Sequence, residues 1–400
     1  MKYLSVLLLQ TTLAVSCLAS PPEIQPWHKY PQLSVSVEAP VVVPLTPSPV
    51  WRLDCGEDAE VLVGRIVAAA PGLDGRTLLV DRQMCRVLVV DRQGRVERTC
   101  GHKGEGPGEL SGAYRACQLE DGWIGIADGA PALTIMFGGR GRITLLDQVG
   151  NPAGLWYAAG DPGDVPVCSL RELRCANGLI LTASQHLIMS SATATVVEEL
   201  ALIATDSGQR TVIANRVTEE EMRKFGIREQ DVYEPFAEGR CDVSVSGRAA
   251  YAPQRDQWLV VIREPDGTGF VLQRSWRAVP RTRAAREAVR KALGAGDLQD
   301  VSGTEPAIGR IRWRPDGRLW VEPGGVVPAP GAMACFDEFS SDGRFLRRVQ
   351  LMISGDREQD VLEIMEDGRL VWLRGFRRTP AEDDVTAVVP EVVLLSLEDG

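Results

Sequence analysis

The stretch Gly101-His-Lys-Gly-Glu-Gly-Pro-Gly-Glu109 is the one whose composition most invites chemistry. Closely spaced glycines leave backbone N–H groups accessible, and phosphate loops hold their ligand that way. Here the Gly-Lys-[Ser/Thr] ending is missing, Pro107 removes one donor, and no helix pattern follows to add its dipole. Gly101, Gly104, Gly106, Pro107, Gly108 and Glu109 are therefore read as a loop that bends the chain sharply between two structural units. His102 in the same loop could titrate or bind, but a lone exposed histidine more often does neither.

The aspartates Asp81, Asp91 and Asp128 recur at the ends of apolar runs. A carboxylate placed there accepts hydrogen bonds from nearby backbone N–H groups in Asx-type turns, and this structural role is favoured over metal ligation. A calcium site needs hard oxygen ligands converging from several elements. The chain has three asparagines, Asn151, Asn177 and Asn215, and two of them adjoin turn glycines, so no metal-ligand set can be chosen. The Gly-x-Ser-x-Gly elbow of serine hydrolases is absent, and no catalytic or cofactor-binding residue is assigned. Among the nine cysteines no Cys-x-x-Cys pair occurs, and the three histidines are scattered, which argues against a zinc site. Cys85 and Cys100 flank one hairpin and are expected to lie nearly opposite each other, a disulfide candidate in an oxidising compartment; Cys168 and Cys175 are the other close pair. The competing role for several of these thiols is that of small buried hydrophobes.

The elements that carry these residues are short strands. Thr77-Leu-Leu-Val-Asp81 and Arg86-Val-Leu-Val-Val-Asp91 are followed by a turn at Arg92-Gln-Gly94 and a third strand, Arg95 to Thr99. The pattern restarts at Trp123-Ile-Gly-Ile-Ala-Asp128. Asp-Gly dipeptides recur at Asp74, Asp121, Asp266, Asp316, Asp342 and Asp367 between apolar runs, each a hairpin signal. Such a repeat implies stacked sheets, because one four-stranded sheet cannot bury both faces alone. Six units are placed near 51–103, 113–158, 165–213, 239–277, 305–350 and 351–398. The third unit is the least regular, since the aspartate after its first strand is missing. Two helical insertions are expected. One covers Thr218 to Phe225, with Thr218 as cap and acids in its first turn; the other covers Arg281 to Leu293, capped by Thr282. Trp51, Trp123, Trp156, Trp258, Trp313, Trp320 and Trp372 are assigned to the core between units.

Composition bounds the rest. Forty Gly and 25 Pro in 400 residues mark a turn-rich chain, and a net charge of −10 argues against a nucleic-acid partner. Residues 1–20 read as a secretion signal: Lys2, an apolar run through Val15, then small residues. Ala14-Val-Ser-Cys17 is similar to a bacterial lipobox, which would make residues 1–16 a lipoprotein signal and Cys17 the lipidated residue. The alternative is ordinary cleavage near Ala19 or Ser20. Residues 21–50 are rich in proline and read as an extended tether.

The run from Val80-Asp81 through Asp91, Gly94 and the Gly101–Glu109 loop resembles a bacterial six-bladed β-propeller family related to NHL repeats. Its first blade ends in Gly-x-x-Gly-x-Gly-Pro-Gly-Glu. Further matches are Tyr233-Glu-Pro-Phe236, Pro306 through Pro315-Asp-Gly-Arg-Leu-Trp-Val321, and Phe336-Asp-Glu-Phe339 to Leu346. The resemblance covers residues 51–398. It implies an exported or lipid-anchored protein, without an assigned activity.

The expectation is an all-β chain: a six-bladed propeller of four-stranded antiparallel blades with short helical insertions. Its ring closes by pairing Trp51-Arg-Leu53 with Pro390 to Leu397. Its function is read as a non-catalytic exported scaffold, periplasmic or at the cell surface, that binds a protein, peptide or glycan on one face and meets a membrane only through a lipid anchor. The alternative from another class is a calcium-dependent lactonase or hydrolase acting at the central channel.

Overall fold

The computed structural model describes residues 27–36, 40–56, 61–104, 106–119, 121–128, 141–158, 168–189, 192–221, 229, 239–293, 301–376 and 390–397. The N-terminal segment supplies β1 (Gln32–Ser34), β2 (Val42–Leu45) and β3 (Ser48–Asp54). Blade 1 is β4 (Ile66–Pro71), β5 (Thr77–Asp81), β6 (Arg86–Val90) and β7 (Val96–Cys100); blade 2 is β8 (Ala113–Gln118), β9 (Ile124–Asp128), β10 (Arg142–Leu146) and β11 (Pro152–Tyr157). Blade 3 holds β12 (Cys168–Ala176), β13 (Leu179–Met189), β14 (Thr193–Ala204) and β15 (Arg210–Glu221). Blade 4 holds β16 (Cys241–Val243), β17 (Ala249–Tyr251), β18 (Leu259–Arg263) and β19 (Gly269–Gln273). In blade 5, β20 (Ile308–Trp313), β21 (Leu319–Pro323), β22 (Ala334–Phe339) and β23 (Phe345–Leu351) follow in order. Blade 6 pairs β24 (Val361–Ile364), β25 (Leu370–Arg374) and β26 (Glu391–Ser396) with β3 on the outside. The six-bladed, four-stranded antiparallel architecture is the one the repeats predict.

Middle strands such as β5 are buried at every position, because a neighbouring blade covers each face; outer β7 alternates. One apolar cluster fills each of the six junctions between neighbouring blades, including the junction of blades 6 and 1. All seven tryptophans assigned to the core lie in or against these clusters. The ring closes as expected: Glu391, Val392, Val393 and Leu394 stand opposite Asp54, Leu53, Arg52 and Trp51.

Three expectations need correction. The proline-rich segment is not a free tether over its described length. β1 adds in parallel to β19 and β2 in parallel to β23, so the segment laces the outer edges of blades 4, 5 and 6 in turn. Proline is tolerated because an outermost strand can pair through its carbonyls: Pro31 and Leu45 accept from Val271 and Met352 at 2.9 and 2.8 Å. Second, Thr218 to Glu221 end β15 instead of opening a helix. Thr218, Glu219 and Glu220 pair with Val196, Thr195 and Ala194, so long-range pairing overrides the local cap signal; residues 222–225 lie outside the described set. Third, blade 3 reaches Glu221 rather than 213, and its β13, β14 and β15 have 11, 12 and 12 residues. The second helix forms at Arg283–Leu293, and the N–H of Ala285 donates to Thr282 Oγ1 at 3.1 Å, the expected cap.

Candidate functional site: a channel closed by ion pairs and a face of long connections

The Gly101–Glu109 loop folds around its own acid. Leu110 N–H donates to the carbonyl of His102 at 2.8 Å, and Gly104 N–H to that of Leu110 at 3.0 Å. The N–H of Gly106 donates to Glu109 Oε2 at 2.7 Å, and His102 Nε2 lies 3.1 Å from Glu109 Oε1. A carboxylate of this chain thus takes the donor a phosphate would use. Glycine is required sterically. At Gly108, where φ is +76°, a Cβ would stand 2.5 Å from Pro152 Cγ of the next blade, so the loop packs blade 1 onto blade 2.

The repeated aspartates have turn roles. Asp81 accepts from Gly64 N–H at 3.0 Å and Met84 N–H at 3.2 Å, and pairs with Arg86. Asp128 accepts from Ser111 and Gly112 N–H at 2.8 Å each, with Arg142 Nε at 2.7 Å. Asp91 accepts from Gln93 and Arg95 N–H at 2.8 and 2.9 Å. Asp81 and Asp128 close equivalent positions, tying the entering segment of each blade to its third strand. Asn151 bonds Asp147 in an outer turn, and Asn177, with φ of +46°, turns the β12–β13 hairpin, so neither reaches the channel.

Cys85 and Cys100 are both buried, unbonded thiols. The residue opposite Cys100 is Val87, not Cys85; Cys85 sits in the preceding turn with φ of +51° and its N–H on the Arg82 carbonyl. The near-opposite placement is therefore off by two residues, and both thiols serve as core. Cys17 and Tyr233 to Phe236 lie outside the described residues.

The chemistry that the sequence did not announce is at the channel, lined by the innermost strands. Arg115 on β8 lies 3.3 Å from Glu172 on β12 and 3.9 Å from Glu363 on β24. Arg174, also on β12, lies 3.5 Å from Glu172 and 3.2 Å from Glu366. Arg312 on β20 and Asp242 on β16 complete the ring; Asp242 accepts from Trp313 N–H at 2.7 Å. Blade 1 contributes the Val67 carbonyl, 3.3 Å from Arg115. Every side chain in this ring is almost fully buried. Burial alone would raise the Glu172 carboxyl, but Arg174, Arg115, Arg312 and the N–H of Gly239 outweigh it and hold its pKa at about 2. Burial dominates for Asp242 and Glu366, whose carboxyls are pushed up. This plug knits five blades through charge: Glu172, Glu363 and Glu366 face guanidinium groups, while Asp242 Oδ1 and Glu366 Oε2 have no hydrogen-bond partner among the described residues.

The two faces of the disc differ. Antiparallel blades place first-to-second and third-to-fourth turns on one face, and all six Asp-Gly turns fall there. The glycines after Asp316 and Asp367 have φ of +81° and +83°, and these aspartates accept the N–H two residues on at 2.9 and 3.1 Å. The opposite face carries the strand ends that the blade-to-blade connections join, and the Arg283–Leu293 helix. The tall strands of blade 3 also end there, about 20 Å beyond strands of ordinary length, with Ile188 and Val217 exposed.

These features place the chain among six-bladed β-propellers. No protein-family model and no curated protein matches it. Among solved structures it is similar to a member of the DUF4221 family from Bacteroides vulgatus, with TM-score 0.49 and 9% identity over 88% of this chain and 97% of the other. A candidate exported protein from Bacteroides fragilis gives 0.47 and 9% over 92% and 99%. The calcium-binding protein regucalcin from Agrobacterium tumefaciens gives 0.43 and 12% over 90% and 96%. The likeness lies in the propeller alone.

Proposed function

We propose that this chain is an exported, non-catalytic propeller of the NHL-related bacterial kind, which binds a protein, peptide or glycan on the face of long connections. One observation carries the reading: Glu172, Glu363 and Glu366 of the channel are ion-paired to Arg115 and Arg174, whereas the strand ends that the blade-to-blade connections join and the tall edge of blade 3 gather on a single face. Connections on a rigid scaffold are where recognition residues concentrate. A calcium-dependent lactonase would need about six or more oxygens converging on the cation, and here Glu172 and Glu366 each place an oxygen against Arg174 instead.

The test is directional. The protein coupled to a support through Ser207→Cys, in the exposed turn at 205–209, exposes the long-connection face; coupling through Val327→Cys, 80% exposed on the opposite face, covers it. Specific capture of a component of the cell-envelope extract is expected in the first orientation and lost in the second. Equal capture in both, or calcium-dependent lactone or ester hydrolysis abolished by chelation, overturns the reading.

A further inference from the structure

Blade 3 ends in β15, an outermost strand of 12 residues without proline or glycine. The other outermost strands that carry no fifth strand, β3, β7 and β11, have seven, five and six residues, and β3 and β11 contain proline. Shortness and proline guard a sheet edge against strand addition; β15 has neither, and its remaining guard is charge. Edges of this molecule do accept an extended segment, since β1 and β2 add to β19 and β23.

Alternation along β14 fixes which backbone groups of β15 turn outward. Thr205, just past β14, donates its N–H to Gly178 in the β12–β13 turn at 2.9 Å, and Ala204 donates to Gln209 ahead of β15 at 3.0 Å. Even-numbered residues of β14 therefore bond β15, and odd-numbered ones bond β13. Beyond the register shift between Leu200 and Ala201, Glu198, Val196 and Ala194 stand opposite Arg216, Thr218 and Glu220, so these three face inward. Val217, Glu219 and Glu221 present N–H and C=O outward, with no backbone partner among the described residues. Val217 is 62% exposed, and Glu219 is exposed with no ion-pair partner among the described residues. The neighbouring cation, Arg216, is held by Glu198 at 2.7 Å. Nearer the middle of β15 the edge opens onto a cavity of about 550 Å³, walled by Trp27, by Asn215 and Arg216, and by the β17–β18 connection. It leaves room for one end of an added strand.

We propose that the outer edge of β15, from Val217 to Glu221, takes an extended basic peptide segment of a partner protein as a fifth strand of blade 3; the inference rests on the reading of the chain as a binding module and names its ligand class. In strand addition, main-chain pairing supplies affinity and alternate side chains supply specificity. Val217 and Glu219 point to the same face of the sheet. The segment therefore carries an apolar residue beside Val217 and, two positions away, Lys or Arg beside Glu219. Opposite charges on adjacent strands attract and like charges repel, so the run Glu219-Glu-Glu221 and the net charge of −10 select against acidic segments.

Selection of random peptides about as long as β15 from a displayed library, against the mature protein, tests it, with affinities then read by fluorescence polarisation. The selected sequences are expected to share an apolar residue two positions from Lys or Arg, and N-methylation of their alternate amides should abolish binding. Val217→Pro removes an outward N–H and leaves the inward ladder of Arg216 and Thr218 intact. Its melting temperature should stay within a few degrees of the wild type while affinity falls by roughly tenfold or more. Glu219→Lys, an exposed change that keeps every backbone bond, should weaken the basic peptides to the same extent. Selected peptides without the pattern, unchanged affinity in either variant, or a dimer of this chain that Val217→Pro dissolves, would overturn the inference. If oriented capture on the long-connection face survives in Val217→Pro, only this site has failed and the reading of that face stands.

Discussion

Glu172 concentrates the residue-scale argument, because it meets Arg115 and Arg174 at 3.3 and 3.5 Å and accepts the N–H of Gly239 at 2.8 Å while fully buried. Removing one partner from such a network leaves the others buried and uncompensated, which costs about 3–5 kcal/mol. Its folded pKa of about 2 lies below the unfolded value of about 4.3. Its stabilisation is therefore complete above about pH 5 and is lost as the pH falls through the folded value. Asp242 and Glu366 work in the opposite sense: their raised folded values impose a cost at neutral pH that falls away on acidification. Glu172→Gln should lose about 3–5 kcal/mol of unfolding free energy in urea at pH 7. The gap from wild type should narrow at pH 3. A gap of the same size at both pH values would show that the carboxylate charge is not what holds the ring.

At the scale of elements, the N-terminal strands do unequal work. β1 and β2 add to the edges of blades already complete with four strands, whereas β3 is the fourth strand of blade 6 and holds Trp51 in the cluster that joins blade 6 to blade 1. A chain starting at residue 47, lacking β1 and β2, should melt only a few degrees below the full protein. Deleting 390–400 removes β26, leaves β3 without a partner and takes Val392 and Leu394 out of the same cluster. That deletion should lower the melting temperature by more than about 10 °C. Equal losses from the two truncations would mean that closure is not the critical contact. What was legible in the sequence follows the same division. Asp-Gly turns, apolar strands and the closing pair announce themselves locally, so the propeller and its closure could be read directly. Prolines between 31 and 49 hid β1 and β2, because edge pairing through carbonyls leaves no periodic signal. The channel ring was hidden for another reason: Arg115, Glu172, Asp242, Arg312 and Glu363 are brought together only by the ring itself. Their one local trace is a charge set within each first strand, as in Ala113-Tyr-Arg-Ala-Cys117 and Val361-Leu-Glu-Ile364. The cavity beside Trp27 left no trace at all, since its walls come from three separate segments, none of them a motif.

For the whole molecule, the lacing of the N-terminal segment changes how the propeller would sit if Cys17 carries lipid. A tether running to Pro49 would have let the disc drift far from the membrane. Instead the first described element begins at Trp27, so only the residues from Cys17 to Trp27 remain as spacer, spanning at most roughly 35 Å when fully extended. The junction of blades 3 and 4, where Trp27 packs, is then the part of the disc held closest to the anchor. More than one acyl chain is needed for stable anchoring, and lipoprotein processing at Cys17 would supply it. No helix among the described residues is long and apolar enough to cross a membrane; on the lipid-anchor account attachment is through Cys17. Cys17→Ser should shift the protein from the membrane pellet to the soluble fraction of fractionated cells without changing its melting temperature. Lengthening the spacer between Cys17 and Trp27 should leave it in the pellet. A wild-type protein found soluble, with a mature terminus near Ser20 or Pro21, would rule out the anchor and leave export alone.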